Sequence, residues 1–372
     1  MNKFFTLLLS SLLLLSCSSS KSDNNDNKKV APKQPRNVIL LIGDGMGINQ
    51  VYAAMSASPE KLAFEQFTAT AFVKTYSANR YITDSAAGGT AIACGTKTDN
   101  GMLGLSPDSV ALTSILELYK AQGYATGLVV TSAITHATPA AFYAHIASRG
   151  ESEAIATQLY QADVDFFCGG GRQFFEARTD SVSLTDSLNE KGYNIYYRLD
   201  SLRAPLLLPC GILAADNDLP AATERGTYLP TATDLAIKSL KAKAGEKGFF
   251  LMVEGSQIDY RCHGNDAEGL IPELLDFEQA IAAALAFAQA DGNTLVVVTA
   301  DHETGGVTIV DGTLTSDSVE VSFGQTGQAG TSVGHTGTMV PLFAFGPGSA
   351  LFRGIIDNTQ ISKLILQGDD IE

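Results

Sequence analysis

A hydroxyl and a carboxylate lie side by side at the head of a run of small residues, Thr83-Asp84-Ser85-Ala86-Ala87-Gly88-Gly89-Thr90. A helix that begins near Asp84 would put Ser85 in its first turn, where unpaired N–H groups favour an anion. Thr, Asp and Ser are also ordinary helix starters, so the stretch is judged by the residues that accompany it. Of the five histidines, His136, His263, His302 and His335 stand beside acids or hydroxyls in turn-like or strand-end settings. Asp259 and His263 are four apart, which one helical turn brings to one face. Asp301-His302 offers adjacent oxygen and nitrogen donors, Asp44 sits between two glycines, and Glu254 closes an apolar run. Mixed Asp/Glu/His donors without Cys suit catalytic Zn²⁺, and all-oxygen sets suit Mg²⁺. A serine hydroxyl becomes a nucleophile only when a base or metal lowers its pKa. Paired metals can clamp the attacking and leaving oxygens of an in-line displacement. His145 has no such neighbours and reads as a structural histidine.

The elements that must carry these groups follow from the apolar pattern. Arg36–Ile42, Thr126–Thr131, Val164–Phe167, Gly248–Glu254, Leu295–Ala300 and Pro341–Phe345 read as buried strands, and Phe72–Ser77 as a further one. Helices are expected over Ser109–Gln122, from Pro139 to Arg149, over Ser152–Gln161, Thr233–Ala244 and Leu274–Ala290. Thr308–Phe323 alternates like exposed antiparallel strands, and Gly324–Gly337 reads as a Gly/Thr-rich loop. The middle, Arg172–Tyr228, reads as irregular excursions from the core. Strands alternating with helices predict an α/β three-layer sandwich around a mostly parallel sheet. Ligands of such sheets bind outside the carboxyl ends of the strands. Asp44, Glu254, Asp301 and His302 all fall there.

With 372 residues the chain can bury a large core, and its formal charge of −15 argues against non-specific nucleic-acid binding. Met1-Asn2-Lys3 followed by the apolar Phe4–Leu15 reads as an export signal too short to span a bilayer comfortably. Leu14-Leu15-Ser16-Cys17 resembles the lipobox of bacterial lipoproteins, which implies cleavage before Cys17 and a lipid on it. The expected organisation is a lipoprotein signal peptide over residues 1–16, a flexible tether over 17–35 and a catalytic domain over 36–372. The expected location is exported, anchored to the outer membrane and facing the periplasm or the cell surface. Cys94, Cys168, Cys210 and Cys262 remain; a Cys168–Cys210 bridge and buried free thiols are both open readings.

Taken together, Gly43-Asp44-Gly45-Met46-Gly47, Thr83-Asp84-Ser85-Ala86, Thr135-His136-Ala137-Thr138-Pro139, Glu254 to Asp259, Asp301-His302-Glu303-Thr304-Gly305-Gly306 and Gly334-His335-Thr336-Gly337 resemble the alkaline phosphatases in order and residue type. The resemblance implies two Zn²⁺ and one Mg²⁺. One zinc would be held by Asp259, His263 and His335, and the second by Asp44, Asp301 and His302 close to Ser85. The magnesium would use Asp44, Thr138 and Glu254, with His136 beside it. Ser85 would be the catalytic nucleophile, and Arg149 the clamp on phosphate beside Asp84. The implied reaction is hydrolysis of small-molecule phosphate monoesters through a phosphoserine. Family members are often homodimers, but no interface is legible in the sequence. The departure is Tyr260, where relatives usually carry Lys, His or Trp; an uncharged phenol there predicts weaker affinity for product phosphate. Two other readings are a phosphodiesterase with the same metal core and a non-catalytic phosphate-binding lipoprotein. A binding relic is expected to lose Ser85 or a metal ligand, and the chain retains them all.

Overall fold

The apolar run that ends at Asp44 becomes the strand β1, Asn37–Gly43, buried at all seven positions and paired with a strand along each edge. The computed structural model describes residues 36–313, 318–324 and 334–369. The expected signal peptide, lipid-bearing Cys17 and tether lie outside the described residues. The other strands are β2 (Ala69–Lys74), β3 (Ala125–Ala133), β4 (Phe166–Gly170), β5 (Asn194–Tyr196), β6 (Cys210–Leu213), β7 (Phe249–Gly255), β8 (Thr294–Thr299), β9 (Glu303–Thr304), β10 (Val307–Thr313), β11 (Ser318–Phe323), β12 (His335–Thr336), β13 (Val340–Phe345) and β14 (Gly354–Asp357). Ten of these form one sheet in the order β14-β2-β13-β8-β1-β7-β3-β4-β6-β5. Only β13 runs against the rest.

Helices Tyr228–Ala244 and Ala267–Asp291 pack on each other and on β3, β7 and β8. A second group, Ser85–Cys94, Ile115–Ala121 and Ala137–Ala140, packs together and reaches β3 and β7. With strands covered in this way, β1, β3, β7 and β8 are buried throughout, so their sequences are continuous apolar runs rather than alternations. The register sets Gly43 against Gly255, Ile42 against Thr299 and Glu254 against Val130. The carboxyl ends of the central strands are therefore level, and the loops leaving them share one rim.

The three-layer α/β reading holds, with several local corrections. The helix expected over Ser109–Gln122 is only Ile115–Ala121. Ser114 Oγ accepts from Glu117 N at 3.2 Å and Ser114 N donates to the Glu117 carboxylate at 2.7 Å. This capping box starts the helix late. The helix from Pro139 does not reach Arg149. It is Ala137–Ala140 with a further turn, after which Ile146 pairs with Leu103. Arg149 sits in a turn where its N–H donates to Gly101 O at 2.8 Å. The irregular middle contributes β5 and β6 at one end of the sheet; runs of three and four residues are too short to show a period. Within the loop expected over Gly324–Gly337, His335–Thr336 pairs with β9. Cys94, Cys168, Cys210 and Cys262 are free thiols, and Cys168 Sγ lies 3.0 Å from the Tyr228 hydroxyl.

Candidate active site

Ser85 is the first residue of the helix Ser85–Cys94, and Asp84 caps it by accepting from Ala87 N at 3.0 Å. The second Asp84 oxygen accepts from Gly101 N at 3.0 Å and from Arg149 Nη1 at 3.2 Å. One carboxylate thus fixes both the start of the nucleophile helix and the direction of a guanidinium. Helix and sheet meet closely: a Cβ at Gly88 would stand 2.9 Å from Asp301 O. Ser85 is almost wholly buried, and its Oγ lies 3.2 Å from His302 Nε2.

Three donor clusters surround that hydroxyl. In the first, His302 Nε2 is 3.2 Å from Asp301 Oδ2 and 3.5 Å from Asp44 Oδ1. In the second, His263 Nε2 and His335 Nε2 approach to 3.1 Å, and Asp259 lies 3.2 Å from the former and 3.7 Å from the latter. The rings of His302 and His335 stack with centroids 3.6 Å apart, so the two clusters share a wall. In the third, ligand atoms of Asp44, His136 and Glu254 lie within 4.8 Å of one another. The same spacing unites Asp44, Asp301 and His302, and also Asp259, His302 and His335.

The chemistry of these donors fits cations. Both Asp44 oxygens, Asp301 Oδ2, Glu254 Oε1 and Thr138 Oγ1 are buried without a hydrogen-bond partner. Buried acceptors are ordinarily satisfied, so a convergent group of orphans calls for a positive charge. Burial pushes the Glu254 carboxyl up to about 8 and the Asp301 carboxyl up to about 7. Asp44 is raised well above the carboxylate range by burial and then by Asp301, Asp259 and Glu254. Burial opposes ionisation of Asp259 too, but hydrogen bonding from His263 and the surrounding imidazoles hold it below its usual value. Burial keeps His302 neutral.

Tautomers follow from the partners. Thr304 Oγ1 donates to Asp259 Oδ1 at 2.5 Å, so it accepts from His302 Nδ1 at 3.2 Å and leaves the Nε2 lone pair facing Ser85. His335 Nδ1 donates to Thr83 O at 2.8 Å, which frees its Nε2 in the same way. Gly45 permits this crowding. Its φ is +70°, and a Cβ would fall 2.8 Å from Thr304 Oγ1 and 2.9 Å from Asp259 Oδ1.

Every residue expected in the site reaches this rim. Arg149 Nη2 lies 3.4 Å from His136 Nε2, and the rings of His136 and Tyr260 meet edge-on at 6.0 Å. Burial and then Arg149 push His136 down to about 4. Sequence reasoning did not single out Thr304, Thr83 or Ser256. Ser256 Oγ donates to Glu254 Oε2 at 2.6 Å and accepts from the N–H groups of Thr131 and Ser132. Their nearness in the chain to His302, Ser85 and Glu254 was the available signal, since partners of a ligand often come from its own motif.

A level row of strand ends that carries a buried serine among convergent acids and imidazoles defines a metal-dependent hydrolase of the α/β class. The alkaline phosphatase family model matches residues 35–323, and the chain belongs to that family. It is 34% identical to alkaline phosphatase 4 of Bacillus subtilis, over 91% of this chain and 90% of the relative. It is 32% identical to the alkaline phosphatase of Escherichia coli K12, over 89% and 85%. The solved alkaline phosphatase of the Antarctic bacterium TAB5 superposes with a TM-score of 0.84 at 41% identity, covering 92% of this chain and 99% of that one. The protein is an enzyme, a metal-binding hydrolase of phosphate monoesters.

Proposed function

We propose that Ser85 Oγ attacks the phosphorus of a phosphate monoester, breaking its ester P–O bond and releasing the alcohol, to form a phosphoserine that water then hydrolyses to free phosphate and the regenerated serine. The observation that carries this reading is the 3.2 Å approach of the buried Ser85 Oγ to an imidazole nitrogen amid partnerless acceptors. Asp259, His263 and His335 would hold one Zn²⁺, Asp44, Asp301 and His302 a second, and Asp44, Thr138 and Glu254 a Mg²⁺. Bound there, the ions would lower the pKa of the nucleophile and offset charge on the attacking and leaving oxygens. The donor types support the assignment: two nitrogens and a carboxylate for one zinc, and mainly oxygens for the magnesium, where His136 makes the cluster less purely oxygen. Variants of the TAB5 enzyme with a histidine changed to Glu or Asp have been solved with Mg bound in the M3 site.

The chain's own groups divide the remaining work. Arg149 offers a planar fork to two non-bridging phosphate oxygens, and Asp84 fixes its direction. The N-terminal N–H groups of the helix Ser85–Cys94 favour the same anion. Tyr260 borders the phosphate site as a neutral group, since burial holds its hydroxyl protonated. For the chain as a whole, the proposal is an exported lipoprotein with signal peptide 1–16, lipid-bearing Cys17, tether 17–35 and catalytic domain 36–372. It would be anchored to the outer membrane, facing the periplasm or cell surface. The lipobox-like Leu14-Leu15-Ser16-Cys17 supports that arrangement.

The test is release of colour from a chromogenic phosphomonoester at alkaline pH. Activity should vanish with a chelator and return with zinc. Ser85→Ala should lower kcat on the order of 10³-fold or more; full zinc-dependent turnover in that variant would refute the covalent route.

A further inference from the structure

His335 reaches the site on a short piece of chain. Among the described residues its strand partners are the two residues of β9, with His335 set against Thr304 and Thr336 against Glu303. A two-residue ribbon is weak by itself. Beneath it lies Glu303, whose side chain is buried although it carries a carboxylate. Its Oε1 accepts from Gln50 Nε2 at 2.8 Å and from Val307 N at 3.1 Å. Its Oε2 accepts from Gly306 N at 3.2 Å and from Thr336 Oγ1. All four donors are neutral. Gln50 in turn reaches Gly45 O at 3.3 Å and Thr304 O at 3.0 Å, so the same knot grips the turn that carries Asp44. The fit is close enough that a Cβ on Gly47 would stand 2.4 Å from Glu303 Cγ.

We propose that Glu303, through Thr336 and Gln50, is a positioning residue that pre-sets His335 for the cation it shares with Asp259 and His263. A buried carboxylate costs several kcal/mol unless its acceptor sites are filled. Here filling them requires four particular donors, three of which flank the metal-binding turns. A Gln at 303 keeps the size but turns an NH₂ toward two donors, so the requirement is for a carboxylate rather than for bulk. Thr336 contributes only its hydroxyl to this contact. It accepts from Thr338 N at 3.3 Å, and its one proton has two acceptors within reach, Glu303 Oε2 and Thr338 Oγ1 at 3.1 Å, of which the carboxylate is the stronger.

The inference rests on His335 being a metal ligand, so His335→Ala serves as the reference variant. Zinc affinity is read by competition against a chromophoric chelator, and the thermal midpoint of the metal-free protein is read alongside. His335→Ala should lose high-affinity zinc at one site. Thr336→Val should weaken that same site on the order of 10–100-fold, as loss of a ligand's supporting partner does. Thr336→Ser should bind as the parent does, and Glu303→Gln should follow Thr336→Val. Thr336 is only part-buried, so water can take its place on Glu303 and the metal-free midpoint of Thr336→Val should fall only slightly; a large fall would make the zinc loss a folding defect and overturn the positioning role. If His335→Ala weakens zinc but Thr336→Val does not, the positioning role is overturned. If His335→Ala itself binds zinc as the parent does, the ligand assignment fails and this inference fails with it.

Discussion

At the scale of single residues, the site turns on which groups carry charge. Arg149 is held by the Asp84 carboxylate at one terminal nitrogen and lies against His136 with the other, so Arg149→Lys keeps the charge and loses the fork. An increase in KM on the order of tenfold is expected from steady-state kinetics with a small phosphomonoester. Tyr260, edge-on to His136, places a phenol where the family resemblance leads one to expect Lys, His or Trp. Tyr260→Lys should tighten inhibition by inorganic phosphate about tenfold, corresponding to about 1.4 kcal/mol; tighter phosphate binding in the parent would contradict the role assigned to the phenol. Most of the candidate metal donors were legible because Asp and His beside Gly, or at the end of an apolar run, leave few bland explanations. Thr304 and Glu303 were not, because a side chain that serves another side chain leaves no period and no unusual composition.

At the scale of elements, close approach decides more than propensity. Ala is the better helix former, yet Gly88→Ala would drive a Cβ to 2.9 Å from the backbone oxygen of Asp301. At Gly89 the nearest atom would be the Ala141 methyl at 3.2 Å. Gly88→Ala should therefore lose activity by shifting Ser85 against Asp301, while Gly89→Ala should retain most of it; kcat of the two variants makes the comparison. The strands were legible as uninterrupted apolar runs, whereas helix limits were not. The start of Ile115–Ala121 is set by a reciprocal cap, and the chain after Ala140 is drawn straight by pairing with Leu103.

That segment also carries His145, whose ring bridges Gly104 O and the Glu117 carboxylate at 2.9 Å each, the structural role expected of it. The hydrogen bond that His145 donates to Glu117 raises the His145 pKa, and Glu117 is lowered by that bond despite its burial. A raised histidine stabilises the fold fully below its unfolded value of about 6.5 and stops doing so as pH climbs through the folded value. A lowered glutamate contributes above about 4.3 and fails as pH falls. His145→Gln should therefore destabilise more at pH 5.5 than at pH 9, by under about 1 kcal/mol given its partial exposure. Urea titrations at the two pH values measure the difference.

At the scale of the whole molecule, four carboxylates and four imidazoles are brought together by the strand ends and by the helix and ribbon that follow them. Removing cations leaves Asp44, Glu254 and Asp301 with partnerless buried oxygens. Chelation should lower the thermal midpoint and zinc should restore it. A ligand at a thousandfold excess over Kd adds about 4 kcal/mol per site. An unchanged midpoint would speak against cations at these groups.

The order of the sheet has a kinetic corollary. β1 lies between β7 and β8, so Asn37 meets Thr294 and Val38 meets Phe250. No locally assembled intermediate brings Asp44 to Asp301, because well over half the polypeptide lies between them in the sequence. Closure of so long a loop makes collapse into this topology slow. Turnover regained after dilution from denaturant should therefore lag behind recovered helicity, with catalysis serving as the clock for the last strand to insert.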